Sequence, residues 1–172
     1  MFTKSSTEEI GNARELVRRV ADEIAVLRKA GKKVHIIWDF DFVLTSGRSD
    51  DVFALLGHNI EKYFAYEERL SISRAEDGPW LYLAVQCGRL HHSQDIVTAR
   101  SSFLAFRTML FCLAWQLPIR WQLYLGHQPK AESYRIILET FKKDEAWHVF
   151  MVDDGEKHVQ IFSEVACLLG ME

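Results

Sequence analysis

Apolar positions along this chain recur in two alternating rhythms. Ile10, Ala13, Val17, Val20, Ile24 and Leu27 return every three or four residues, the spacing of an amphipathic helix. Ser5 and Ser6, three residues ahead of Glu8 and Glu9, form a capping box, and Gly31 is a stop, so a helix is predicted over about 7–30. The run Val34-His35-Ile36-Ile37-Trp38 is a buried strand, closed by Asp39-Phe40-Asp41. Three shorter segments, 94–98, 119–125 and 148–152, have the same character. Helical patterns separate them: 80–92 with Pro79 at its first position, a stretch from Ala99 through Trp115 ended by Pro118, 131–141, and 159–169. Alternating strands and helices predict an α/β protein, an open and mainly parallel sheet of about four strands with helices on both faces.

The segment after Asp41 breaks that alternation. Ser49-Asp50-Asp51 can cap a helix through Leu56, Gly57-His58-Asn59 interrupts it, and 60–70 is a second helical stretch carrying Tyr63, Phe64 and Tyr66. A small helical insert over about 43–76, lying over the carboxyl edge of the sheet, is the expectation. Its aromatics mainly hold it to the body, with stacking on a planar ligand as the alternative. No repeat or linker divides the chain, so 1–172 reads as a single domain.

A net charge of -3 gives no footprint for nucleic-acid polymers or acidic membranes, but leaves room for a small phosphorylated ligand in a local positive pocket. Cys87, Cys112 and Cys167 are far apart, which suits free thiols in a reducing compartment. With no apolar leader and no segment of membrane-spanning length, a cytoplasmic protein is expected. Apolar residues are frequent enough to leave a homodimer open. His91 and His92 are expected at the surface as a helix end, not as a metal pair.

The chemistry collects at the ends of the strands, where open α/β sheets bind ligands. The first strand offers Asp39 and Asp41. The second offers Thr98, expected at a helix N-terminus whose free N–H groups favour an anion. The third leads to Lys130, a cation in the first turn of a helix, which is unfavourable by a few tenths to ~1 kcal/mol unless an anion lies beside it. The fourth ends in Asp153-Asp154, like charges that raise each other's pKa unless a cation is shared. Four carboxylates at neighbouring strand ends suit magnesium, which takes oxygen ligands.

Asp39-Phe40-Asp41-Phe42-Val43, Thr98, Lys130 and Asp153-Asp154 occur in the order of the four motifs of the haloacid dehalogenase-like (HAD) phosphohydrolase superfamily, which the chain resembles from about Val34 to Gln160. Trp38 to Leu44, Tyr63-Phe64-Ala65-Tyr66-Glu67, Val97-Thr98-Ala99-Arg100-Ser101 and Leu125 to Lys130 are more closely similar to the cytosolic type I 5'-nucleotidases, which dephosphorylate nucleoside monophosphates with magnesium. The resemblance implies a HAD-like Rossmannoid sheet with a small cap. It also implies Asp39 as nucleophile, Asp41 as acid and base, and Thr98 and Lys130 on the phosphate. Magnesium would be held by Asp39, the Asp41 carbonyl and the Asp153/Asp154 pair, Asp154 being favoured as the direct ligand. Phe42, Ser46, Arg48, Tyr63, Ala99 and Arg100 are candidates to meet the rest of the substrate. Another small phosphate ester such as a sugar phosphate, or a catalytically weak binding module, are the alternative readings.

Overall fold

The strand β1 (Lys33–Trp38) lies inside the sheet, parallel to β2 (Ser93–Thr98) on one side and to β4 (Trp147–Val152) on the other. Beyond β2 runs β3 (Trp121–Tyr124), giving an all-parallel sheet of order β3-β2-β1-β4. The structure is a computed structural model and describes residues 5–45, 55–57, 59, 61, 62, 65, 78–100, 102–126 and 128–171. The helices whose bounds lie among these residues are α1 (Ser5–Lys29), α2 (Leu81–Arg89), α3 (Ala105–Ala114), α4 (Lys130–Phe141) and α5 (Glu156–Leu168). No helix among them is long and apolar enough to cross a membrane.

The alternation of side chains along β1 assigns the helices to faces. Val34, Ile36 and Trp38 pack with Ile24 of α1, Leu81, Leu83, Ala84 and Cys87 of α2, and Phe111 and Cys112 of α3. Ile37, one residue out of phase, packs with Val97, with Tyr134, Ile137 and Phe141 of α4, and with Ile161, Phe162 and Val165 of α5. Both faces are therefore covered, as a continuous apolar strand requires. Each fully buried Val, Leu, Ile or Phe among them contributes about 1.5–3 kcal/mol.

Asp95 of β2 is an acid inside the sheet with partners of its own. The Asp95 carboxylate, fully buried, accepts two hydrogen bonds from the Arg120 guanidinium at 3.1 and 2.6 Å and one from the Trp121 N–H at 3.0 Å. His35 Nε2 lies 3.2 Å from its other side. Burial alone would raise the Asp95 pKa, but His35 and Arg120 outweigh it and hold the carboxyl low. This pairing fastens edge strand β3 to β2.

Several boundaries differ from those expected. α1 already contains Ser5 and Ser6, so the serines are not ahead of the helix. Trp80 caps α2 without belonging to it, and the helix stops at Arg89. His91 then takes φ 60°, and the N–H groups of His91 and His92 close back on Gly88 and Cys87 at 3.0 Å. That left-handed turn sends His92 inward, so it is buried, contrary to the surface expectation; His91 alone is exposed. A short 3-10 turn, Ser102–Leu104, precedes α3.

The ends of the predicted insert meet. Phe42 takes φ 60° and turns the chain, so that the N–H groups of Leu44 and Thr45 return to Phe40 O at 3.0 and 3.1 Å. The Gly78 N–H then donates to Leu44 O at 3.0 Å. A Cβ at Gly78 would lie 2.1 Å from Val43 O, which is why glycine stands where the chain rejoins the body. Most of 46–77 lies outside the described residues. Within it, Asn59 Oδ1 accepts the Lys62 N–H at 2.9 Å, a helix-start contact just after the expected break.

Candidate active site

Register alone brings the first two acids together. Trp38 stands opposite Val152, so the residues that follow, Asp39 and Asp153, leave the sheet side by side. The Asp39 N–H still donates to Val152 O at 2.8 Å, which prolongs the ladder to the aspartate. The crossover from β3 at one edge to β4 at the other carries α4 across the sheet. Lys130, its first residue, donates from Nζ to Asp39 Oδ1 at 3.0 Å and to Asp153 Oδ2 at 2.6 Å. The ammonium and both carboxylates are buried or nearly so. The anions that a lysine at a helix N-terminus calls for are thus supplied by the protein itself.

Carboxylate oxygens of Asp39, Asp153 and Asp154 can lie within 4.8 Å of one another. Against these three acids the lysine brings one positive charge, and the excess is visible in their protonation. The Asp39 carboxyl is pushed up to about 7, chiefly by burial, with Asp153 and Asp41 adding to it and Lys130 opposing. Asp154 is also raised, by burial and then by Asp153. Asp153 goes the other way: burial would raise it, but Lys130, the Gly155 N–H at 2.8 Å and His158 Nδ1 at 3.0 Å hold it low. Mutual raising of the doublet therefore applies to Asp154 alone.

The donors divide by role. Asp153 has Oδ1 on Gly155 and His158 and Oδ2 on Lys130, so it is an orienting acid. Asp154 is in no ion pair among the described residues and is free to ligate. An all-oxygen set of this charge fits a hard divalent cation such as magnesium. Gly155 suits the same arrangement, since a Cβ there would come 3.1 Å from Asp153 Oδ1 and 3.0 Å from His158 Nδ1 and would crowd their contact.

Asp41 stands apart from this group. Its Oδ2 accepts from Arg100 Nε at 2.9 Å, and its Oδ1 accepts from Arg100 Nη2 at 2.5 Å. Arg100, a candidate for contact with base or sugar, is 2% exposed and faces Asp41 instead. Thr98 is buried at the end of β2, and its hydroxyl accepts the Arg100 N–H at 3.2 Å. Contrary to expectation it is not at a helix N-terminus, because three residues and a 3-10 turn intervene before α3. Ala99 is exposed beside it, and Phe42 is half-buried just after Asp41. Ser46, Arg48 and Tyr63 lie outside the described residues.

Two further side chains contribute to the site without belonging to any strand-end motif. His158 sits in the first turn of α5, which starts earlier than the pattern of apolar residues indicates. Tyr134 follows Lys130 by one helical turn on the same face of α4, and its phenol is raised by burial and by the charges of Asp153 and Asp39. The i, i+4 spacing of lysine and tyrosine was the available signal.

No protein-family model, curated protein or solved structure matches this chain.

Proposed function

We propose that this protein is a magnesium-dependent phosphomonoester hydrolase of HAD type, acting through an aspartyl-phosphate, with nucleoside monophosphates as the favoured substrates. The observation that carries the reading is the bridge from Lys130 to both Asp39 and Asp153, because it joins the three side chains that the reading casts as phosphate-binding cation, nucleophile and acid beside the metal. The fit of Asp39, Asp153 and Asp154 to a hard cation supports it further.

In this reading Asp39 attacks phosphorus, and the new O–P bond forms as the bond to the leaving oxygen breaks. Asp41 gives a proton to that oxygen and later takes one from the water that hydrolyses the intermediate. Its Oδ2 accepts one hydrogen bond from Arg100 and keeps a lone pair for the purpose. Lys130 and the Thr98 hydroxyl fix the non-reacting phosphate oxygens. Magnesium held by Asp39, Asp154 and the Asp41 carbonyl, with Asp153 behind them, would neutralise charge on the phosphoryl group.

The motif resemblance, and not the cluster itself, points to nucleotides. The experiment is phosphate release from a panel of nucleoside monophosphates and sugar phosphates, with magnesium or with EDTA. Magnesium-dependent release, greatest for a nucleotide, is expected. Release from sugar phosphates alone moves the substrate class, and no release from any member leaves a binding or interaction module.

A further inference from the structure

Among the carboxylates at this sheet edge, one is withheld. Asp41 is close enough for its charge to act on both Asp39 and Asp154, yet Asp39, Asp153 and Asp154 form the candidate ligand group without it. The structure gives the reason. Arg100 Nε reaches both oxygens of Asp41, at 3.1 and 2.9 Å, and Nη2 reaches Oδ1 at 2.5 Å, the fork geometry that a planar guanidinium offers a carboxylate.

Arg100 is itself fixed from three sides. Its N–H donates to the Thr98 hydroxyl at 3.2 Å, and its carbonyl accepts the Gly126 N–H at 3.1 Å from the loop after β3. The guanidinium carbon lies 4.5 Å from the centre of the Phe40 ring, and that ring stands edge-on against Phe111 at 5.1 Å. A buried cation with this many fixed neighbours is not a mobile substrate contact.

We propose that Arg100 is a positioning residue that holds the Asp41 side chain out of the cation's coordination sphere, so that Asp39 and Asp154 serve the ion, with Asp153 behind them, and Asp41 is kept for proton transfer. The inference rests on the cation reading given above. Without the fork, Asp41 would turn toward the ion and add a further negative ligand, which strengthens binding of a hard cation.

The test is Mn2+ binding, followed by electron paramagnetic resonance, to the wild-type chain, Arg100→Gln, Asp41→Asn and the double variant. Arg100→Gln is expected to tighten Mn2+ by about tenfold, an effect of ligand charge count, and to do so only while Asp41 is present. Equal tightening in the Asp41→Asn background would reduce the effect to loss of a nearby positive charge and overturn the proposal. Unchanged or weaker binding would overturn it too. Should Arg100→Gln fail to fold, Arg100→Lys keeps the charge, loses the fork and is expected to tighten Mn2+ in the same Asp41-dependent way. A wild-type chain that binds no Mn2+ contradicts the cation reading itself, a result distinct from binding that ignores Arg100.

Discussion

Lys130 Nζ stands 3.0 Å from Asp39 Oδ1 across ninety-one residues of chain, with Asp153 on its other side. The contact couples three separate elements: the end of β1, the start of α4 and the end of β4. Both acids act to raise the lysine's pKa, against burial, so the ammonium stays charged where it would otherwise be costly. The site is thus electrostatically organised before any ligand arrives, the condition under which fixed charges contribute most to a reaction.

Asp39→Asn should abolish turnover, by at least about three orders of magnitude if Asp39 is the nucleophile. The fold should survive, because Asn is isosteric and Lys130 keeps Asp153. Phosphate release and circular dichroism on the same sample check both halves of this prediction. Retained activity in a folded variant would remove Asp39 from the role.

The pH dependence of metal-free stability has a defined sign. The Asp39 pKa is about 7 in the fold against 3.8 for a free carboxyl, so the folded state holds that proton more tightly than the unfolded chain. Its contribution is fully present below about pH 4 and is lost as pH rises through 7. In EDTA, wild type should therefore lose thermal stability relative to Asp39→Asn between pH 4 and 8. Magnesium, which competes with the proton, should restore it most at the high end of that range. A difference that is flat in pH would contradict the assignment.

Lys130→Met removes the cation and leaves Asp39 and Asp153 facing each other in a buried site. Breaking a buried pair by deleting one partner costs about 3–5 kcal/mol. Urea unfolding in EDTA should report a loss of that order, and magnesium should recover part of it, since a divalent ion can take the lysine's place between the acids. A loss indifferent to magnesium would mean that the acids do not share a cation site.

Arg120→Leu tests the opposite case, a buried charge remote from the chemistry. Asp95 would lose its guanidinium fork while keeping the Trp121 N–H and His35. Because Arg120 is partly exposed, the loss should be smaller, about 2–3 kcal/mol. Mn2+ affinity should not change. A shift in Mn2+ binding would show that the two charge networks communicate.

The strand ends were legible because their signals are one-dimensional. A continuous apolar run stopping at Asp39, or at Asp153-Asp154, needs no partner to be seen, and parallel register then brings the two together. Lys130 was legible as an anomaly, a cation at the wrong end of a helix dipole. What could not be read was the pairing of side chains. Nothing along the chain tells that Arg100 closes on Asp41, since that contact depends on a loop after β2 tied to Gly126. His92 differs from expectation for a related reason: its burial follows from the positive φ of His91, a conformation that histidine tolerates better than most residues but does not signal as glycine would.

The most direct measurement is acid quenching during turnover of a substrate labelled at phosphorus, followed by location of the label in the chain. The account predicts an acid-stable label on Asp39 that is absent from Asp39→Asn and absent without magnesium. Phosphate released at full rate with no label on Asp39 would contradict it.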